Sequence, residues 1–357
     1  MTAPRLSLVV PTWNRRDSVL RLLRALHAQS APASSFEAIV VADGSTDGTF
    51  DAVRSHSAPF ALHAIDLPRS GRARARNEGI RAATGDVVLF LDDDMEPAPA
   101  LVAEHLARHD APDVLGVVGA VPLVVPPAAP PIVRYRAAAF SRKLDRLATR
   151  SDRLAFGDVY TGNLSVRRAR LLGAGSFDEA FDVYGHEDYE LALRLGRDGG
   201  RFVYSGEALA NQYYDKTLRG LAADVQSEGR TAVLFARKHP DVLPSLALGR
   251  FSKRPRRARL RLAMMLLLDR LVPDLPSRLV AAVERFERAG ARADEAALFA
   301  RYDRLFDALY WIGAEQTLRE NGVPRWQLAV RDVARWIGTV SPSGAPEPSR
   351  RASGARR

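Results

Sequence analysis

Three aspartates in a row, Asp92-Asp93-Asp94, close an apolar run over 87–91, and two more acids, Glu187-Asp188, open a helical pattern further on. Neighbouring carboxylates repel one another unless water or a cation relieves them. Hard divalent cations such as Mg2+ and Mn2+ take oxygen ligands, often one or two carboxylates together with the phosphates of a bound substrate. The three aspartates therefore suit a cation and a diphosphate; the plainer reading is an acidic turn capping the next helix. A carboxylate pair at a helix start can supply a general base, or it can simply complement the helix dipole. Between the two clusters, Arg72, Arg74 and Arg76 offer forked donors suited to phosphate. Solvation is the plainer fate of Arg72 and Arg74.

The elements that must hold these residues alternate. Apolar runs at 6–10, 36–41 and 87–91, with a weaker one at 60–67, have the character of strands, and 15–29, 49–55 and 72–83 carry helical spacing. Strands alternating with helices across short turns predict an α/β fold with a doubly wound, mostly parallel sheet. Ligands of such sheets bind beyond the carboxyl ends of strands. Asp92 to Asp94 sit at such an end, and Asp43 sits at another, in the turn 42–48, where an N-cap is the plainer role. Strand patterns follow at 114–125, 160–166 and 201–204, and helical ones at 132–154, 186–196 and 218–239. Beyond Pro244 the chain turns helical and rich in Arg, Ala and Leu, over 255–271, 276–289, 294–321 and 324–337. The expected division is a sheet domain over 1–244, a basic helical region over 245–340 and a disordered basic tail over 341–357.

The 357 residues are 46% apolar and 26% charged, the composition of a globular protein. There is no cysteine, which excludes disulfides, thiolate metal sites and cysteine nucleophiles and fits a reducing compartment. No signal-peptide pattern precedes the first strand, so a cytoplasmic location is expected, with a peripheral place on the inner face of the membrane as its variant. The net charge of +10 is uneven: residues 250–357 hold 22 basic and 12 acidic side chains. An anionic membrane surface is the expected partner of that surplus; no nucleic-acid-binding signature accompanies it. Arg256, Arg257, Arg259 and Arg261 precede an apolar run over 262–268 that is too short to span a bilayer. The stretch fits a helix lying in a membrane interface or a core-packing helix with solvated arginines.

Taken together and in order, six stretches resemble the family 2 glycosyltransferases of the GT-A fold. They are Val9-Val10-Pro11-Thr12-Trp13-Asn14-Arg15, Val41-Ala42-Asp43-Gly44-Ser45-Thr46-Asp47-Gly48-Thr49, Arg76-Asn77-Glu78-Gly79, Gly85-Asp86 through Asp94, Thr161-Gly162-Asn163, and Gly185-His186-Glu187-Asp188-Tyr189-Glu190-Leu191. The resemblance covers about two thirds of the chain and implies a metal-assisted inverting transfer from a nucleotide-diphosphate sugar. A uridine nucleotide is the expected carrier, and a hydroxyl is the acceptor, on a glycan, a lipid-linked molecule or a natural product. It implies that Pro11, Thr12, Asn14, Asp43 and Arg76 line the donor pocket, with Asp43 on the base. Asp94 would hold Mn2+ or Mg2+ against the diphosphate, and Asp92 the ribose or a metal-bound water. Asp93 is counted with the donor set, although alternation along an extended segment turns it from its neighbours. Thr161, Gly162 and Asn163 fall on the acceptor or donor-sugar side, Asp188 is the base and Glu187 its support. His186 has no assigned role. Two departures stand out. Ala42 replaces an acid common in the family, and 210–216 lacks a His that completes the metal site in many relatives, leaving Asn211 or Gln212 as weaker oxygen donors. A non-catalytic GT-A-like binding or scaffold protein is the alternative. A nucleotidyltransferase expects a Gly-rich phosphate loop with Lys, which 11–16 is not.

Overall fold

The computed structural model describes residues 3–197, 199–289 and 294–320; the expected helix over 324–337 and the tail over 341–357 lie outside them. Strand β1 (Leu6–Thr12) leads through α1 (Arg16–Leu26) to β2 (Phe36–Asp43), α2 (Thr49–Arg54), β3 (Ala61–Leu67), α3 (Arg72–Ala82) and β4 (Val87–Leu91). These four strands pair in parallel in the order β3-β2-β1-β4. Leu8, Val9 and Val10, Ile39, Val40 and Val41, and Val88 to Leu91 are buried, which is why the central strands appear as unbroken apolar runs. Helix α1 covers them with Val19, Leu22, Leu23 and Leu26, three and four residues apart. Helix α3 lies close on β1 at Gly79, where a Cβ would stand 2.2 Å from Cγ1 of Val9. That approach sets the first turns of α3 at the carboxyl edge of the sheet.

The second half adds β5 (Met95–Pro97), α4 (Leu101–Arg108), β6 (Val114–Ala120), α5 (Pro131–Ala148), β7 (Asn163–Arg167), α6 (Arg168–Gly173), α7 (Glu187–Arg197), β8 (Arg201–Gln212) and α8 (Leu218–Lys238). The eight-stranded order is β3-β2-β1-β4-β7-β6-β8-β5. β7 runs antiparallel to both neighbours and β5 antiparallel to β8, whereas β6 and β8 are parallel. The mostly parallel α/β sheet is thus as expected, but the helix expected over 132–154 ends at Ala148 and three strand boundaries that bear on the site differ. The strand expected over 114–125 ends at Ala120, ahead of Pro122. The strand expected over 160–166 begins at Asn163, so Thr161 and Gly162 form the turn that enters it. The strand expected to end at Tyr204 continues to Gln212, because its second half, with Ala208 and Ala210 buried, pairs with β5.

Three helices close the described chain: α9 (Arg256–Leu271), α10 (Leu275–Arg288) and α11 (Glu295–Glu320). Helix α11 crosses α8 at two glycines. A Cβ on Gly229 would stand 1.9 Å from the carbonyl oxygen of Tyr310, and one on Gly313 2.0 Å from that of Gln226. Helix α9 packs Leu262 and Leu266 into a cluster with Phe235, Leu246 and Trp311, while its other face is bare. Among the described residues, no helix is long and apolar enough to cross a membrane.

Candidate active site

A cavity of about 710 Å3 opens beyond the carboxyl ends of β1, β2 and β4, the position expected of a ligand site in such a sheet. Arg76, on the second turn of α3 and 2% exposed, joins its two acidic walls. Its Nη2 donates to Oδ1 of Asp92 at 3.3 Å and its Nη1 to Oε1 of Glu187 at 3.1 Å. Glu187 Oε2 also accepts from the Gly185 N–H at 3.1 Å. Arg76 therefore lines the cavity, as expected of a donor-pocket residue, but both terminal nitrogens are held by carboxylates. In this arrangement it is a strut between Asp92 and Glu187.

Asp93 corrects an expectation. Residues 93 and 94 lie in a turn rather than in the strand, so side-chain alternation does not apply and all three aspartates face the cavity. Asp93 Oδ2 accepts from the Thr12 hydroxyl at 2.7 Å, and its Oδ1 lies 3.7 Å from Arg15 Nε. Burial nevertheless pushes Asp93 up to about 6. Asp94 is pushed up to about 7 by burial and by the charges of Asp92 and Asp93. Gln212, at the end of β8, donates from Nε2 to both Asp94 oxygens, at 3.1 and 3.3 Å.

The donor set at Asp94 fits a divalent cation in one respect: it is a desolvated carboxylate among like charges, and a cation would relieve them. Among the described residues no group of three His, Cys, Asp or Glu side chains could hold a metal ion. A cation here would take its remaining ligands from phosphate and water, as Mg2+ commonly does.

Asp188 stands in the first turn of α7, and the chain reaches it through two residues with positive φ, Gly185 (117°) and His186 (62°). Gly185 is needed there for room as well: a Cβ would stand 2.8 Å from Oγ1 of Thr231 on α8. His186 is fixed by the same hydroxyl at 2.9 Å and packs beside Phe235, and burial lowers it to about 4; it serves the turn. The Asp188 carboxylate accepts one hydrogen bond, from the Tyr189 N–H at 2.9 Å. Burial, then the charge of Glu187, raises it to about 7, against the pull of Lys143 on α5. A carboxylate that ionises near neutrality beside a cavity has the properties of a general base.

On the opposite side, Pro11, Thr12 and Asp43 line the cavity as expected. Asp43 is already engaged: Oδ1 accepts from the Ser70 N–H at 2.6 Å and its hydroxyl at 2.8 Å, and Oδ2 from the Gly71 N–H at 3.0 Å and Arg69 Nη1 at 3.2 Å. It holds the loop that starts α3. It is not the N-cap of α2, which is Gly48; Asp47, one residue earlier, accepts from the Thr49 N–H at 3.1 Å. Asn14 does not line the cavity. Its Oδ1 accepts from the Thr46 N–H at 2.7 Å, tying the loop after β1 to the loop after β2. Thr161 and Gly162 line the cavity, and a Cβ on Gly162 would stand 3.2 Å from Asp92 Oδ2. Asn163 does not, because as the first residue of β7 its side chain turns into the interior. Its Oδ1 meets His105 Nε2 at 2.8 Å, and its Nδ2 donates to the carbonyls of Ala208 and Ala120 at 2.8 and 3.2 Å. Ser165 extends this network to His105 and His109, each at 2.8 Å. Burial lowers the two imidazoles to about 4 and about 3.

Solvation was the plainer expectation for Arg72, but it lines the cavity, and Lys143, Lys216 and Glu228 beside it carried no pattern that sequence reasoning could use. Arg72 and Lys216 lie 5.0 and 4.9 Å from the centre of the Tyr184 ring. Lys143 lies 4.6 Å from the Tyr160 ring. Glu228 of α8 is raised to about 7 by burial. Lys143, Lys216 and Glu228 are brought in from segments far away in sequence, whereas Arg72 opens the helix that carries Arg76. Trp13 and Arg69 also line the cavity, with the guanidinium 4.0 Å above the indole ring.

Comparison with known proteins agrees with this geometry. The validoxylamine A glucosyltransferase of Streptomyces hygroscopicus subsp. jinggangensis (strain 5008) is 31% identical over 268 residues, covering 68% of this chain and 63% of that protein. The pre-mycofactocin glycosyltransferase of Mycobacterium tuberculosis (strain ATCC 25618 / H37Rv) is 30% identical over 246 residues, covering 68% of this chain and 50% of its own length. The match thus spans less than two thirds of either relative. Among solved structures, a mannosyltransferase from Pyrobaculum calidifontis in complex with GDP-Man and Mn2+ has a TM-score of 0.57 at 24% identity, over 90% of this chain and 88% of that one. It shares the fold, which is the GT-A fold. The model of glycosyl transferase family 2 matches residues 7–171, the stretch that supplies Asp43, Arg76, the three aspartates and the Thr161-Gly162 turn, and that stretch belongs to that family.

Proposed function

We propose that the protein is an inverting glycosyltransferase that moves a sugar from a nucleotide-diphosphate donor to an acceptor hydroxyl. The observation that carries this reading is the convergence of two carboxylate clusters, almost a hundred residues apart in sequence, on one cavity through Arg76. The acceptor oxygen attacks the anomeric carbon as the bond from that carbon to the diphosphate oxygen breaks. The acceptor proton passes to Asp188, and the sugar leaves with inverted configuration alongside a nucleoside diphosphate. Asp188 is suited to this because it ionises at about 7, and Arg76 holds Glu187 away from competing for the proton. Asp94 and Asp92 would hold Mn2+ or Mg2+, which as a Lewis acid would offset the charge growing on the diphosphate. Arg72 and Lys216 face the same space and add fixed positive charge.

The base lies over Trp13. Arg69 now covers that indole and donates to Asp43. A nucleobase is planar like a guanidinium and presents an N–H, so it takes the same two contacts once the exposed Arg69 side chain turns out. A uridine nucleotide fits this as the carrier, and the GDP-Man and Mn2+ of the Pyrobaculum structure are a donor and cation of the same chemical kind. The acceptor is a hydroxyl of a glycan, glycolipid or natural product.

The test is Asp188→Asn with a panel of nucleotide sugars and Mn2+. Transfer should fall at least a thousandfold, within the range of a lost general base, while donor binding, read by thermal shift, stays near that of the parent. Parental turnover in Asp188→Asn would remove Asp188 from the mechanism.

A further inference from the structure

Helix α9 is apolar on two faces. Leu262 and Leu266 pack inward, while Leu260, Met264, Leu267, Leu268 and Leu271 are 43% to 69% exposed. The outward residues fall at i, i+4, i+7, i+8 and i+11, which places them in one stripe. Nine large hydrophobic side chains are exposed among the described residues, and five belong to this stripe. The exposure is therefore a property of one helix rather than a scatter over the surface. Two apolar faces on opposite sides of a helix call for apolar surroundings on both, and the protein covers only one.

The charge on α9 is the second observation. Its first six residues include Arg256, Arg257, Arg259 and Arg261, with no acid in the first turn. The amino end of a helix carries a partial positive charge, so arginines there oppose the dipole. Arg256, Arg257 and Arg261 are exposed. An anionic partner offsets that repulsion, and the partner must also accept an apolar stripe.

We infer that α9 docks on an anionic lipid surface, lying in its plane, with the stripe among the acyl chains and Arg256, Arg257 and Arg261 on headgroup phosphates. The other covers within reach have the wrong charge. Residues 321–357 hold seven arginines against two acids, Asp332 and Glu347, and a second copy of α9 would bring the same four arginines. A nucleic acid would meet the arginines but not the stripe. Leu246, which lines the cavity, shares an apolar cluster with Leu262 of α9, so the docked helix is packed against part of the cavity wall. The inference does not rest on glycosyl transfer and is read without it.

The full-length protein is sedimented with vesicles of phosphatidylcholine alone and of phosphatidylcholine with phosphatidylglycerol. Binding is expected to the second, weakened by salt, and near absent to the first. Arg256→Ala with Arg257→Ala should weaken it on the order of thirtyfold. Met264→Glu with Leu267→Glu should weaken it at least as much, and both variants should keep the parental melting temperature, since these side chains are exposed. Failure of the parent to bind anionic vesicles overturns the inference. Parental binding by both variants overturns it too and assigns the contact to the basic residues after 320. A concentration-dependent dimer that the Met264→Glu, Leu267→Glu variant abolishes, with vesicle binding intact, overturns it in favour of a second copy.

Discussion

Asp188 and Asp94 are both raised to about 7, with different consequences. At Asp94 the cause is burial among other aspartates, a charge that a cation would take up. At Asp188 it is burial at a helix start beside Glu187, and nothing in the proposed chemistry neutralises it before the acceptor arrives. Ionised Asp188 is the active form, so kcat/KM should fall about tenfold per pH unit below about pH 7, measured as initial rates at saturating metal. The stability contribution runs the other way. A carboxyl whose pKa is raised on folding stabilises the folded state below its ordinary pKa and loses that contribution as the pH rises through about 7. Asp188→Asn should therefore gain thermal stability relative to the parent between acid and neutral pH, seen as a widening difference in Tm. At the cation end, Gln212 already places an amide against both oxygens of Asp94. Imidazole is a stronger ligand for Mn2+ than an amide. Gln212→His should lower the Mn2+ concentration for half-maximal activity roughly tenfold, measured by metal titration of activity.

Helix α3 and the turn into α7 act as a pair. Arg76 spans them through Asp92 and Glu187, and the next residue, Asn77, fixes the intervening loop. Its Nδ2 donates to the Phe177 carbonyl at 3.0 Å, and its Oδ1 accepts from the Phe177 N–H at 2.9 Å. Buried ion pairs add little net stability, but removing one partner leaves an uncompensated charge in the interior. Arg76→Ala should cost about 3–5 kcal/mol, seen in urea denaturation, because Glu187 is left buried without its cation. Activity should fall as well, since Asp92 and the α7 start lose their common anchor. Asn163 and the two buried histidines do the corresponding work under β7. They fix the strand that Gly162 enters, and through its backbone the wall beside Asp92.

At the scale of the whole molecule, the cavity is closed by elements from both ends of the described chain. Asp224 and Glu228 of α8, residues 245–247 and Tyr310 of α11 all line it, and the crossing of α8 and α11 at Gly229 and Gly313 holds them in place. Gly313→Val would push the two backbones apart. It should destabilise the protein by about 1–3 kcal/mol, the usual cost of overpacking, and raise the donor or acceptor KM in steady-state kinetics. That outcome separates a helical region that is part of the site from one that is only appended to it.

The sequence by itself determined the elements whose pattern is local. Buried central strands appear as apolar runs, amphipathic helices as 3.6-residue spacing, and the acids at strand and helix ends stand where the chain must turn toward solvent. Asp43, Asp92, Asp94, Glu187 and Asp188 stood out as candidates for that reason, while the roles proposed for them come from the family resemblance. The tertiary structure alone decided what depends on contacts between distant segments. Because β7 begins only at Asn163, the strand relation that would put Thr161 and Asn163 on one side does not hold: Thr161 and Gly162 lie in the turn facing the cavity, and Asn163 bonds into the interior. A turn in place of a strand brought Asp93 into the cavity. Gln212 reached Asp94 only because β8 runs on to pair with β5, and Arg76 became a strut because Glu187, over a hundred residues later, folds back onto it. The stripe on α9 was visible as a run of Leu and Met, but which of its faces the protein covers was set by Trp311 and Leu246, residues that no local pattern connects to it.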